Sequence, residues 1–155
     1  MKKYLFLLGL YFTLIISCQS QSFNMQEIRD AYLLASYNMK GCDYLQELIN
    51  KCESNNDPVI LGYKIANDLF KSKHYKNPVK KYSVFKNSSN KLDSLIMINP
   101  EIIEIRLLRY LVQNNAPSIL GYNDNIDVDY KLIMKNIKSI EEELRVFILK
   151  TISKS

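Results

Sequence analysis

Glycine and proline are scarce in this chain, four of each in 155 residues. That argues against a turn-rich β architecture, whose tight connections draw on both. Histidine occurs once, at His74, and the three cysteines form no CxxC pair, so no metal-ligand cluster can be assembled from sequence neighbours. GxSxG, HExxH, GxxxxGK[ST] and GxGxxG patterns are all absent. The paired carboxylates at 141–143 have a simpler reading as a helix first turn, where the dipole favours them. No catalytic activity, metal or cofactor is expected. A strong charge of one sign is missing too. The formal charge is +5, and without Lys2 and Lys3 the balance is 19 Lys+Arg against 16 Asp+Glu, or +3. That level serves solubility and is too weak to imply a nucleic-acid partner.

What is present begins with a targeting pattern. Lys2 and Lys3 precede an apolar run at residues 5–16. As a helix this run reaches about 18 Å, short of the roughly 30 Å hydrocarbon core. It reads as a signal peptide at 1–17 rather than a membrane-spanning helix. Its end, Leu14-Ile15-Ile16-Ser17-Cys18, resembles the lipobox of bacterial lipoproteins, in which the Cys thiol is diacylglycerylated and the peptide before it is removed. Cys18 is therefore the candidate lipidation site, and several acyl chains together would anchor the protein stably. Ordinary cleavage after Ser20, with Cys18 and Ser20 as the small residues, is the alternative. The continuous, correctly placed motif favours lipidation. Residues 18–24 then form the lipidated Cys and a short polar tether.

From residue 25 to 155 the apolar spacing is helical almost throughout, and the chain is long enough for one domain with one core. Met25, Ile28, Tyr32 and Ala35 share a face on a first helix that should stop before Gly41. A second, capped by Asp43, carries Leu45, Leu48, Ile49 and Cys52. Asp57-Pro58 starts a third, with Val59, Tyr63, Ala66 and Phe70 on one face and Leu61, Ile65 and Leu69 on another. Residues 74–82 (HYKNPVKKY) read as a basic connection, with His74 in solvent. The basic run at 71–81 reads as a solvated face, with contact to anionic lipid headgroups as the alternative. A fourth helix through Val84, Phe85, Leu92, Leu95 and Ile96 is weakened at 87–90 (NSSN). Asp127 can cap a sixth helix, and Ser139-x-x-Glu142 has the form of a capping box for a seventh. Cys42 and Cys52 on one helix would stand about 15 Å apart, beyond the roughly 7 Å that a disulfide spans. Unless Cys42 lies in a loop, both are expected as semi-buried thiols.

The fifth helix organises the rest. Asn99-Pro100 is a start signal, and Ile102, Ile103, Ile105, Leu107, Leu108, Tyr110, Leu111 and Val112 leave almost no polar face, so neighbours must bury it. The exception is a stripe of Arg106, Arg109 and Gln113. Guanidinium forks suit a carboxylate or phosphate, which makes Arg106 and Arg109 a possible anion site. The structural alternative pairs them with Asp124, Asp127 or Asp129, because an unpaired buried charge is costly. Tyr63 and Tyr122, each after Leu-Gly, are expected as packing residues with hydroxyls on backbone partners. Gly121 is expected in a turn with φ > 0.

Residues 92–100 (LDSLIMINP) resemble the end of a tetratricopeptide repeat (TPR), and counting back about 34 residues lands in the third helix, as one helix-turn-helix unit requires. The leader, DPVILGYKIA and NPEIIEIRLLRYLVQNNAPSILGY together resemble a family of exported helical lipoproteins of Bacteroidetes-type bacteria. The signature residues are Glu104, Ile105, Arg106, Leu108 and Arg109 on the helix and Pro117, Leu120, Gly121 and Tyr122 in the turn. The resemblance spans most of residues 25–140 and implies an all-α fold of about seven helices in stacked antiparallel hairpins with a TPR-like superhelix. It brings no activity with it. A cell-envelope location follows from the leader, at the outer membrane facing the periplasm. Stacked hairpins expose concave surfaces, so the expected partner is another envelope protein or a peptide. The alternative is a small anionic ligand held by Arg106 and Arg109.

Overall fold

The computed structural model describes residues 24–52 and 56–153. The expected signal peptide, Cys18 and the tether up to residue 23 lie outside the described residues. Within them the regular structure is entirely helical, with no strand. Helix α1 spans Met25–Ala35, α2 Met39–Lys51, α3 Pro58–Ser72, α4 Pro78–Ile98, α5 Ile103–Asn115, α6 Ile126–Asn136 and α7 Glu142–Ile152. A 3-10 turn, Ser118–Leu120, follows α5. No described helix is long and apolar enough to cross a membrane.

Helix starts follow the capping chemistry of Asn and Asp, though not always at the expected residue. Asp57 accepts from the N–H groups of Val59 and Ile60 ahead of Pro58, as the sequence implies. Asn77 caps α4 in the same way, from Val79 and Lys80, so the connection before α4 ends at Asn77 rather than reaching Tyr82. The α4 helix then runs unbroken through residues 87–90. Ser88 and Ser89 are buried there, and Ser89 returns its hydroxyl to the Lys86 carbonyl. Packing outweighs the poor propensity of the stretch.

Four other starts differ from expectation, two of them because the expected cap, Asn99 or Ser139, bonds the preceding helix. Asn38, not Asp43, caps α2, accepting from the Gly41 N–H at 2.9 Å. Gly41 therefore lies inside α2 instead of ending a helix. Its role is steric: a Cβ there would sit 2.3 Å from the carbonyl carbon and oxygen of Leu34 in α1. Asn99 closes α4 by donating to the Leu95 carbonyl, so α5 begins only at Ile103, without a side-chain cap. Arg106 Nε steadies the intervening turn through the Pro100 carbonyl at 2.6 Å. Asn125 rather than Asp127 precedes α6, and its N–H donates to Gln113 Oε1. Ser139 bonds back to Asn136, so no capping box forms, and Glu141 stands at the start of α7 with its carboxylate on Arg29.

Successive helices pair as α1 with α2, α3 with α4 and α5 with α6. The odd-numbered helices also meet one another, α1 with α3, α3 with α5 and α5 with α7. Finally α7 returns against α1, with the Phe147 ring edge-on to Tyr32 at 6.4 Å and Glu141 on Arg29. The four odd helices thus close on each other around α5, whose residues from Ile103 to Gln113 are buried except for half-buried Arg106. Tyr32 is a hub, with Tyr63 at 5.5 Å and Phe70 at 5.1 Å. Each such ring pair adds about 0.5–1.5 kcal/mol beyond area burial. A second apolar cluster, Leu69, Phe85, Leu92, Ile96, Ile105 and Val112, locks α3, α4 and α5. Cys42 and Cys52 are free and fully buried, deeper than expected, with thiols on the Ala35 and Leu48 carbonyls.

Candidate functional site

The arginine stripe of α5 meets an internal acid. Arg109 donates from Nε to Asp129 Oδ2 at 2.7 Å and from Nη2 to Asp129 Oδ1 at 2.9 Å, while Nη1 reaches Asp93 at 3.1 Å. Arg106 adds a bond from Nη1 to Asp129 Oδ1 at 2.9 Å. Asp129, in the first turn of α6, is 0% exposed and accepts three charge-assisted bonds. Asp124 and Asp127 stay at the surface outside this network. Burial works against the Arg109 charge, but Asp129 and Asp93 more than offset it and hold the guanidinium above its ordinary range. Two cations face two carboxylates, so the cluster is neutralised from within.

Tyr122 joins the same network. Its hydroxyl donates to Asp93 at 3.0 Å, and its ring meets Phe85 edge-on at 5.9 Å. Burial, then the Asp93 charge, pushes the phenol well above the usual tyrosine range. Gly121 does adopt the left-handed conformation, φ +58°. Tyr63 likewise bonds a carboxylate, Glu104 at 2.6 Å, where a backbone partner was expected. Glu104 in turn receives a fork from Arg29, two bonds of 2.9 Å, and Arg29 is 1% exposed. This pair joins residues 75 apart, α1 to α5, and the sequence offers little warning of it. The available signal is Arg29 lying between Ile28 and Tyr32 on a face that must be buried.

The open feature of the molecule lies at the other end. The C-terminal turns of α1, α3, α5 and α7 converge there on a cavity of about 350 Å³. In these last turns side chains bond carbonyls of their own helices: Ser36 donates to Leu33, Ser72 to Leu69, Asn115 to Leu111 and Thr151 to Phe147. A second cavity of about 380 Å³ adjoins it between α3, α4 and α5, and Phe70, Lys73 and Asn115 line both. Its walls are mainly apolar, including Leu69, Phe85 and Val112, and Pro117 and Leu120 of the turn after α5 close one side. Ile119 at this rim is 92% exposed, and Tyr82 beside it is also exposed.

Three lysines line the two cavities, Lys73 in both, Lys81 in the apolar one and Lys150 in the other. No acidic side chain lines either cavity, and none of the three lysines has a carboxylate within ion-pair distance among the described residues. The Lys73 ammonium lies 5.0 Å from the centre of the Phe70 ring, a cation–π contact, and burial pulls it below the ordinary lysine value. His74, just beyond α3, is exposed as expected. Part of the basic run read as a solvated face is therefore brought onto an apolar hollow, a juxtaposition that α4 and the Ser118–Leu120 turn create together. Among the described residues no three His, Cys, Asp or Glu side chains cluster as a metal site would need. Comparison with protein-family models, with curated proteins and with solved structures finds no match to this chain.

Proposed function

We propose that this is a lipid-anchored cell-envelope protein that binds a segment of another protein, without catalysis, in the cleft formed by the two adjoining cavities. The leader ending at Cys18 supports the location. The observation that carries the binding reading is the cleft itself: apolar walls of Leu69, Phe85, Val112 and Leu120, with Ile119 almost fully exposed at the rim. Each cavity falls within the roughly 300–1,000 Å³ typical of ligand sites, and exposed apolar side chains around the mouth suit a macromolecular surface better than a fully enclosed small molecule. The paired helix hairpins, which resemble tetratricopeptide units, are scaffolds that present such clefts to extended chains. Arg106 and Arg109 serve the fold in this reading. An anionic ligand there would have to displace Asp129 from a fully buried, triply bonded position.

Site-specific photocrosslinking in the native envelope tests the proposal. A photoreactive residue replacing Ile119 should give a discrete adduct. The same residue replacing Met97, exposed at the far end of α4, should not. Adducts at neither position, or equally at both, would remove the basis for a cleft-bound partner.

A further inference from the structure

Resting on the reading that the cleft takes a segment of a partner protein, we infer that this segment is acidic and apolar: a large apolar side chain enters the cavity beside the Ser118–Leu120 turn, and neighbouring carboxylates meet Lys73, Lys81 and Lys150. Charge complementarity carries the first half. The cleft is lined by three lysines and no acid. Lys73 occupies the junction of the two cavities, where its ammonium lies 5.0 Å from the centre of the Phe70 ring and has no carboxylate within ion-pair distance among the described residues. A cation beside an apolar hollow and without an acid of its own is a ready partner for an incoming carboxylate. The opposite end of the odd helices shows the contrast, because there Arg29 is met by Glu104 and Glu141.

The remaining polar groups select a peptide over an alkyl carboxylate. The cavity at the helix ends presents acceptors, since four helix C-termini bring carbonyl lone pairs and the negative ends of their dipoles together. Asn115 spends one amide N–H on Leu111 and keeps its Oδ1 as an acceptor, and the Ser36 and Thr151 hydroxyls spend their protons on their own helices. An occupant with hydrogen-bond donors beside its carboxylates suits this lining, because donors meet the carbonyls while the carboxylates, disfavoured at the dipole ends, are held by the lysines. A polypeptide has backbone N–H groups, carboxylate side chains and large apolar residues together. A fatty acid has no donor once ionised.

The test uses the full chain as bait for a random peptide display library, with dodecanoate as a competitor. Selected peptides should carry Asp or Glu next to Leu, Ile, Phe or Met and should lose binding on Ile119→Glu, a change at a solvent-exposed position that the fold tolerates. Lys73→Glu, with an unchanged melting curve as control, should weaken them about tenfold or more. Replacing the peptide acids by amides should do the same, and high salt should erase the difference. Peptides that need Ile119 but show no acidic excess would overturn the charge rule and leave the cleft reading standing. Peptides indifferent to Ile119→Glu, or no selection at all, would overturn the cleft reading and this inference with it. Dodecanoate binding that Ile119→Glu abolishes, with no peptide selected, would replace both with an alkyl-anion site.

Discussion

Replacing Arg109 by Ala removes both bonds that clamp Asp129 and the one that reaches Asp93. Asp93 keeps the Tyr122 hydroxyl and is partly open to water, so its loss is small. Asp129 is the costly partner. At 0% exposure it would keep a full charge with one remaining bond, from Arg106 at 2.9 Å. Breaking a buried ion pair from one side costs about 3–5 kcal/mol, against roughly 5–15 kcal/mol for the whole stability of a small domain. At roughly 4 °C per kcal/mol for a chain of this size, the melting temperature falls by about 12–20 °C. Arg106→Ala should cost less, about 1–3 kcal/mol, because it gives Asp129 a single bond and leaves the Arg109 fork in place. Adding Asp129→Leu to Arg109→Ala removes the orphaned charge and should recover part of the loss, which a double-mutant cycle reads as a coupling energy. Circular dichroism melts of the unmodified protein, the two arginine variants, Asp129→Leu alone and the double variant provide the assay. A fall below about 4 °C for Arg109→Ala, the behaviour of a surface pair, would refute the structural assignment of the arginines.

Other outcomes follow from the same contacts. Gly41→Ala places a methyl group on the Leu34 carbonyl, so α1 and α2 must part, at about 1–3 kcal/mol or more; a melt matching the unmodified protein would show the crossing to be loose. The phenols of Tyr32, Tyr63 and Tyr122 are raised by burial, with Glu104 and Asp93 adding at the latter two. The unfolded chain ionises near pH 10 while the folded chain stays protonated, so stability is intact below about pH 10 and falls above it, by up to about 1.4 kcal/mol per unit per tyrosine. A melting temperature level to about pH 11 would contradict this burial. Cys18→Ala should release the protein from the membrane fraction and abolish acyl labelling, whereas an unlabelled unmodified protein in the soluble fraction would count against the anchor.

Much of the fold was legible because helical periodicity is a local signal. The apolar face of α1, the Asp57-Pro58 start of α3, the burial of α5 and the left-handed Gly121 all follow from residues within a turn or two of each other. Cap assignments failed where the same side chain also found a partner in the preceding helix. Asn99 and Ser139 each looked like the start of the next helix but closed the previous one, and Glu141 went to Arg29. Propensity alone misjudged residues 87–90, since the burial of Ser88 and Ser89 depends on what packs against α4.

The same division holds for the polar groups. The type of partner for Arg106 and Arg109 followed from charge balance, because a buried guanidinium requires a carboxylate. Which acid served, Asp129 rather than Asp124 or Asp127, depended on the rotation of α6 about its axis, which only its packing against α5 sets. Nothing near Glu104 in the chain marked its partners, which α1 and α3 bring to it as Arg29 and Tyr63. The cleft had no local signature at all. Its lysines come from α3, α4 and α7, and its apolar walls from α3, α4, α5 and the turn after α5. The sequence by itself determined which segments are helices, which faces they bury and which charges need partners, since those depend on neighbours along the chain. Only the tertiary structure decided which partners meet and where a hollow remains, because those depend on helix directions and rotations that no single segment encodes.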